Sequence, residues 1–272
     1  MNPVRLLALN LDDTLLRSDL SISQQTKNAI KQAEDEGVTL VLASSRTSKT
    51  VEEYARVLNM NKRSGYLISN DGALVQESLT GNVVHETKIE PGITLMVCDF
   101  AEAESFPVQL YEDDIMYVSR MNEYASYDEK LTGIRQVVVE NFRAMASRGC
   151  YKLLVPGEPA LLSSLRTIYG VYIGKDITII NGNPYFIELL PPQTCKGTAL
   201  ALVAGILGLG SEEVMAIGDS QKDEAMIRWA GLGIAMVNGH DKIKDIADFV
   251  TEYSNDEDGV ANVIEKFILK KG

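Results

Sequence analysis

Four short polar clusters in this chain carry residue types suited to chemistry on a phosphate. Asn10, Asp12, Asp13 and Thr14 follow one apolar run, and Ser44-Ser45-Arg46 follows another. Lys196-Gly197 opens a helical pattern, and Gly218-Asp219-Ser220-Gln221-Lys222-Asp223 closes a further apolar run. Phosphoryl transfer requires charge to neutralise the phosphate oxygens, donors to position them, and a group to handle the leaving-group proton. Asp12, Asp219 and Asp223 can bring carboxylates to one site if their strands are neighbours. Mg²⁺ favours one or two carboxylates with waters retained. Thr14 and Ser44 offer hydroxyls, and Lys196 is a point charge for phosphate. Any one Asp after a strand reads as a helix cap or turn former. Four strand ends or helix starts in succession, each with a fitting residue type, carry more information.

The elements that must position these clusters follow from hydrophobic periodicity. Segments 4–9, 38–43 and 66–69 read as short buried strands. Ser21-Ile22-Ser23-Gln24 offers helix-cap chemistry, and Thr26, Ala29, Ile30 and Ala33 lie near one helical face before Gly37. A second helix is expected over 48–58, with Val51, Tyr54, Ala55 and Leu58 at helical spacing. Strand, helix, strand, helix, strand is the sequence form of an α/β fold with a doubly wound parallel sheet. The middle of the chain changes character, with alternating strand-like patches and two helical stretches near 92–103 and 160–169. It reads as an inserted α+β domain over 83–187. The parent pattern then returns: a helix over 196–207, strands at 214–218, 233–236 and 249–251, and helices at 223–230, 242–247 and 259–269. The expected division is therefore 1–82 with 188–272 as one domain and 83–187 as the insert.

Bulk composition limits the function classes. At 272 residues, 45% hydrophobic and 24% charged, the chain has the profile of a soluble globular protein with one large core or two smaller ones. A net charge of −12 disfavours a nucleic-acid partner, which would require a basic face. A phosphorylated small molecule stays compatible, because a divalent cation and one or two lysines reverse the field locally. No apolar run reaches the ~18 residues that span a bilayer, so no membrane partner is expected. The first residues run straight into a strand pattern without a signal-peptide form. Cys98, Cys150 and Cys195 have no metal-type spacing and fit free thiols in a reducing cytosol, so a cytoplasmic location is expected.

Together the clusters resemble the motifs of the haloacid dehalogenase-like phosphatases of the Cof type, whose first motif is Asp-x-Asp-x-Thr-Leu. The resemblance covers nearly the whole chain, including the Leu190-Pro191-Pro192-Gln193-Thr194-Cys195-Lys196-Gly197 approach to the third motif. It also includes Asn70-Asp71-Gly72-Ala73, the stretch from Gly218 through Met236, and Asn255-Asp256-Glu257-Asp258-Gly259 near the end. It implies a Rossmann-like core with an inserted cap that chooses the substrate. It also implies a small phosphorylated substrate such as a sugar phosphate, hydrolysed through an aspartyl-phosphate with Mg²⁺. Asp12 would protonate the leaving alcohol and then activate water, and Ser44 and Lys196 would hold phosphoryl oxygens. Mg²⁺ would sit on the Asn10 and Asp219 side chains and the Asp12 carbonyl, with Asp223 at or beside the cation. A monomer or weak homodimer is expected.

The chain departs from that pattern at the residue that matters most. Asn10 stands where the family carries its nucleophilic aspartate, whether exchanged by design or lost in divergence. A carboxamide is neutral and cannot form the acyl-phosphate. Ser44-Ser45 replaces Thr-Gly, Lys222 replaces Asn, and Val237-Asn238-Gly239 replaces Gly-Asn-Ala, whereas Asp13 in place of Gly is a familiar variant. Two outcomes stay open: a phosphatase of very low turnover, or a non-catalytic phospholigand-binding or regulatory protein on the same scaffold.

Overall fold

The computed structural model describes residues 3–112, 115–132, 134–180 and 183–270. In chain order, the first part runs β1 (Leu6–Asn10), α1 (Gln24–Asp35), β2 (Thr39–Ala43), α2 (Ser48–Val57), β3 (Gly65–Ser69), β4 (Leu74–Glu77) and β5 (Val83–Glu86). The middle holds α3 (Pro91–Ala103), β6 (Gln109–Glu112), β7 (Ile115–Val118), α4 (Glu123–Thr132), β8 (Arg135–Val138) and α5 (Phe142–Ala146). It continues with β9 (Leu153–Pro156), α6 (Pro159–Ile173), β10 (Thr178–Ile180) and β11 (Phe186–Leu190). The last part runs α7 (Lys196–Ile206), β12 (Val214–Gly218), α8 (Glu224–Trp229), β13 (Leu232–Ala235), α9 (Asp241–Lys244), β14 (Phe249–Val250) and α10 (Gly259–Phe267).

The chain divides into two compact units, residues 1–85 with 195–272 and residues 86–194. The second junction lies seven residues beyond the 187/188 position read from the sequence. Strand pairing accounts for residues 188–190: β11 runs antiparallel to both β9 and β10 and so stays with the second unit.

The first unit is built on an eight-stranded sheet in the order β14-β13-β12-β1-β2-β3-β4-β5. Strands β14, β13, β12, β1, β2 and β3 are parallel, and β4 turns back antiparallel on β3. Strand β1 is central and buried at all five positions, as an apolar strand covered on both faces must be. Its alternate residues serve opposite cores. Leu7 and Leu9 pack with Ala29 and Ile30 of α1, Val51 of α2 and Ile264 of α10. Leu6 and Ala8 pack with Leu200 and Val203 of α7 and Met226 of α8. Each fully buried Leu contributes about 1.5–3 kcal/mol relative to exposure. Helices thus cover both faces of a mostly parallel sheet, the doubly wound form expected from the strand–helix alternation. Helix α1 starts where its cap requires, with Ser23 Oγ accepting from Thr26 N–H at 3.0 Å. The helix expected over 242–247 is the single turn α9.

The second unit is a six-stranded sheet in the order β10-β11-β9-β6-β7-β8, antiparallel except for the β7–β8 pair. Leu110, Leu153, Val155, Ile187 and Leu189 face α3 and α6, where the Tyr169 hydroxyl donates to the Val97 carbonyl. Tyr111, Leu154 and Phe186 alternate to the other face and pack with Ala125 of α4. No described helix is long and apolar enough to cross a membrane.

Candidate active site

Strands β12, β1 and β2 are adjacent, and their C-terminal ends carry Asp219, Asn10 and Ser44 respectively. That edge is where open α/β sheets bind ligands. Asn10 is the last residue of β1. After it the chain makes one wide turn over Leu11–Leu15, closed by the Leu16 N–H on the Leu11 carbonyl at 2.9 Å. Asp12 is extended there, and Asp13 is left-handed at φ 52°. Asp tolerates that region better than most residues, which accounts for Asp at a position the family also fills with Gly. The turn is held from the far end of the chain. Asn238 Nδ2 donates to the Asp13 carbonyl at 2.8 Å, and Asn255 Nδ2 donates to the Leu16 carbonyl at 2.9 Å.

Two glycines let the remaining residues reach the site. A Cβ on Gly197 would lie 2.6 Å from the Ala225 backbone, so only glycine permits α7 to approach α8 closely enough to seat Lys196. A Cβ on Gly218 would lie 2.5 Å from Asp223 Cβ, so the bare backbone makes room for that side chain.

The buried side chains form one hydrogen-bonded array. Lys196, 2% exposed, donates from Nζ to Asn10 Oδ1 at 2.8 Å and to Asp223 Oδ1 at 2.7 Å. Asn10 Nδ2 donates to Asp219 Oδ1 at 2.6 Å and to the Asp12 carbonyl at 2.8 Å. Thr14 Oγ1 donates to the same Asp219 oxygen at 2.8 Å and lies 3.5 Å from Asn10 Nδ2. Asp223 Oδ2 accepts from the backbone N–H groups of Asp219 and Ser220 and from Ser220 Oγ, all at 3.1 Å. Burial, together with the negative charge of Asp223, pushes the Asp219 carboxyl up to about 7. Hydrogen bonds from Thr14 and Asn10 and the charge of Lys196 act in the opposite direction.

The structure therefore unites Asn10, Thr14, Lys196, Asp219 and Asp223. It connects Asp12 through its carbonyl, whereas the Asp12 carboxylate turns aside to Arg46. Arg46 Nε donates to both Asp12 oxygens, at 3.1 and 2.9 Å, and a terminal nitrogen donates to Oδ1 at 2.6 Å. Ser44 is fully buried, and its Oγ accepts from the Arg46 N–H at 3.1 Å rather than joining the Lys196 array. The part of Arg46, Asn238 and Asn255 in this arrangement was not assigned from sequence. The Ser44-Ser45-Arg46 cluster contained the first, the Val237-Asn238-Gly239 departure the second, and the resemblance near the C-terminus the third, without giving any of them a partner.

The expected cation ligands can be tested against this geometry. The Asp12 carbonyl, Thr14 Oγ1 and Asp219 Oδ1 converge at 2.8, 3.5 and 2.6 Å on one atom, Asn10 Nδ2. Mg²⁺ prefers an oxygen set of this kind, but the atom at its centre is an N–H donor. Both oxygens of Asp223 are taken by Lys196 and the 219–220 backbone. With the amide so placed, the residues do not fit a divalent cation, and Asp223 acts as the counter-ion of Lys196.

Comparison with known proteins agrees with the fold. Residues 7–264 match the haloacid dehalogenase-like hydrolase family model. A 5-amino-6-(5-phospho-D-ribitylamino)uracil phosphatase of Bacillus subtilis, YcsE, is 31% identical over 266 residues, covering 98% of this chain and 96% of that protein. The crystal structure of a haloacid dehalogenase-like hydrolase from Bacteroides thetaiotaomicron superposes with a TM-score of 0.88 at 27% identity, covering 97% of this chain and 99% of that one. A Thermotoga maritima structure does so with a TM-score of 0.85 at 27% identity, over 97% of each chain. With its family match spanning both units, this chain belongs to the haloacid dehalogenase-like hydrolases.

Proposed function

We propose that this chain is a phosphomonoester phosphatase of very low turnover, whose site takes the phosphoryl group of a small metabolite such as a sugar phosphate. The observation that carries the reading is the buried Lys196 ammonium, held between Asn10 Oδ1 and Asp223 at the end of β1. A buried point charge beside the nucleophile position, at the N-terminus of α7, suits phosphoryl oxygens. Ser44 would add a hydroxyl. Asp12, once released by Arg46, would protonate the leaving alcohol. The phosphatase activity named for the B. subtilis relative agrees with this class of substrate. The second unit is read as the substrate-selecting cap. The location is taken as cytoplasmic and the protein as a monomer or weak homodimer without a nucleic-acid partner.

Asn10 limits the chemistry. Its nitrogen donates hydrogen bonds and its lone pair is delocalised into the carbonyl, so it is no nucleophile for phosphorus and the aspartyl-phosphate route requires a carboxylate at position 10. Loss of a nucleophile in a serine hydrolase costs ~10⁶ in turnover, which is roughly 8 kcal/mol of barrier. Mg²⁺ belongs to this reading only in the Asn10→Asp form. A panel of phosphate esters, assayed with the native chain and with Asn10→Asp in Mg²⁺, tests it. If the restored variant hydrolyses none of them, the phosphatase reading fails.

A second reading is favoured by one observation. Asn10 is not a misfit: its carbonyl and both amide hydrogens have partners within the array. A site so well closed around a carboxamide suits a protein that binds a phosphorylated ligand without turning it over. Saturable binding of an ester, combined with failure of Asn10→Asp to gain activity, would select this reading.

A further inference from the structure

Which way the Asn10 amide faces decides whether a cation can enter, and two neighbours fix it. Lys196 Nζ can only donate, and it lies 2.8 Å from Oδ1. The Asp12 carbonyl can only accept, and it lies 2.8 Å from Nδ2. Turning the amide over would set Nδ2 against the ammonium and Oδ1 against the carbonyl. A cation could compensate the second clash by bridging the two oxygens. It could do nothing for the first, a donor facing a donor in a buried site.

The charge balance points the same way. Among the described residues, only Asp219 directs a carboxylate oxygen at the convergence point. Asp12 directs its carboxylate to Arg46, and Asp223 is committed to Lys196 and the loop backbone. Among the described residues, no group of three or more His, Cys, Asp or Glu side chains gathers as a cation cage. A cation would also have to break the 2.6 Å bond from Asn10 to Asp219. A carboxylate at position 10 reverses each point: it presents an oxygen to the other oxygens and requires a positive charge between them.

We propose that the Asn10 amide nitrogen takes the place of the divalent cation, so that the native chain holds its site together by hydrogen bonds and does not take up Mg²⁺ there. The claim concerns cation occupancy and stands whether or not the restored chain hydrolyses phosphate.

Titration calorimetry with Mg²⁺ on the full chain and on Asn10→Asp is the test. Loss of a mere hydrogen-bond partner of a metal ligand weakens metal binding about 10- to 100-fold, so loss of the ligand charge itself is expected to weaken it at least ~100-fold. Asn10→Asp should bind one Mg²⁺ saturably, and the native chain should not. Native binding within tenfold of the variant would overturn the proposal. So would absence of binding to both, because the amide would then not be what excludes the cation. If Asn10→Asp fails to fold, the native chain decides alone. Millimolar Mn²⁺ should leave the NMR signals of the Asn10 side-chain amide unbroadened, and selective broadening of those signals would overturn the proposal.

Discussion

The Lys196 ammonium and the Asn10 carboxamide are joined by a 2.8 Å hydrogen bond, and that bond decides which end of the amide faces Asp219. Lysine selects the carbonyl end, which leaves the nitrogen to bridge Asp219 and the Asp12 carbonyl. A single side chain thereby supplies the buried positive charge of the array and sets the state of the position expected to hold a cation.

Removal of that charge should be costly to the fold. In Lys196→Met, the fully buried Asp223 loses the ammonium it faces at 2.7 Å. Breaking one side of a buried ion pair costs about 3–5 kcal/mol. Urea unfolding should show a loss of that order, and Lys196→Met combined with Asp223→Leu should recover a large part of it.

The close approach of α7 and α8 can be tested at Gly197. A methyl group there meets the Ala225 backbone at 2.6 Å, which something must move to relieve. Overpacking of this kind costs about 1–3 kcal/mol. Thermal melting of Gly197→Ala should fall accordingly, whereas Gly205→Ala, where nothing lies within 4 Å, should not destabilise the chain.

The three thiols should react unequally. Burial pushes Cys98 up to about 11 and Cys150 up to about 12, whereas Cys195 is only partly buried at the start of α7. The thiolate is the reactive form, and for the two buried groups it becomes abundant only as the pH rises toward those values. Native protein treated with a thiol reagent at pH 8 should be labelled at Cys195 alone, with Cys98 and Cys150 labelled after unfolding. Mass spectrometry of the digested protein reads the result, and rapid labelling of Cys150 in the folded chain would contradict it.

Much of the core was legible in sequence because its signals are local. Strand β1 is a short apolar run ending in polar residues, and Ser23 caps α1 where a capping residue was read. Three of the site clusters were legible for a related reason: they follow short, buried, parallel strands, so topology places them on one edge, whereas Lys196 opens α7. What was not legible depends on long-range pairing. Apart from Glu188, residues 186–190 are apolar and would suit either unit, and pairing of β11 with β9 and β10 assigns them to the second. The Arg46 fork on Asp12 joins residues 34 apart, and the hydrogen bond from Asn255 to the Leu16 carbonyl joins residues 239 apart. The sequence also could not show that Asp223 would be taken up by Lys196 and the loop backbone, because both of its oxygens are committed by three-dimensional contacts.

The central claim is that a phosphatase site is present and that Asn10 holds back its turnover. The most direct measurement is the initial rate of phosphate release from a panel of sugar phosphates and other small esters. Native chain and Asn10→Asp are compared side by side in Mg²⁺. The account expects the variant to hydrolyse at least one ester, with a gain over the native chain on the order of 10³-fold or more and up to the ~10⁶ that a lost nucleophile can cost. A native chain as fast as the variant, or a folded variant that releases no phosphate from any ester, would contradict it.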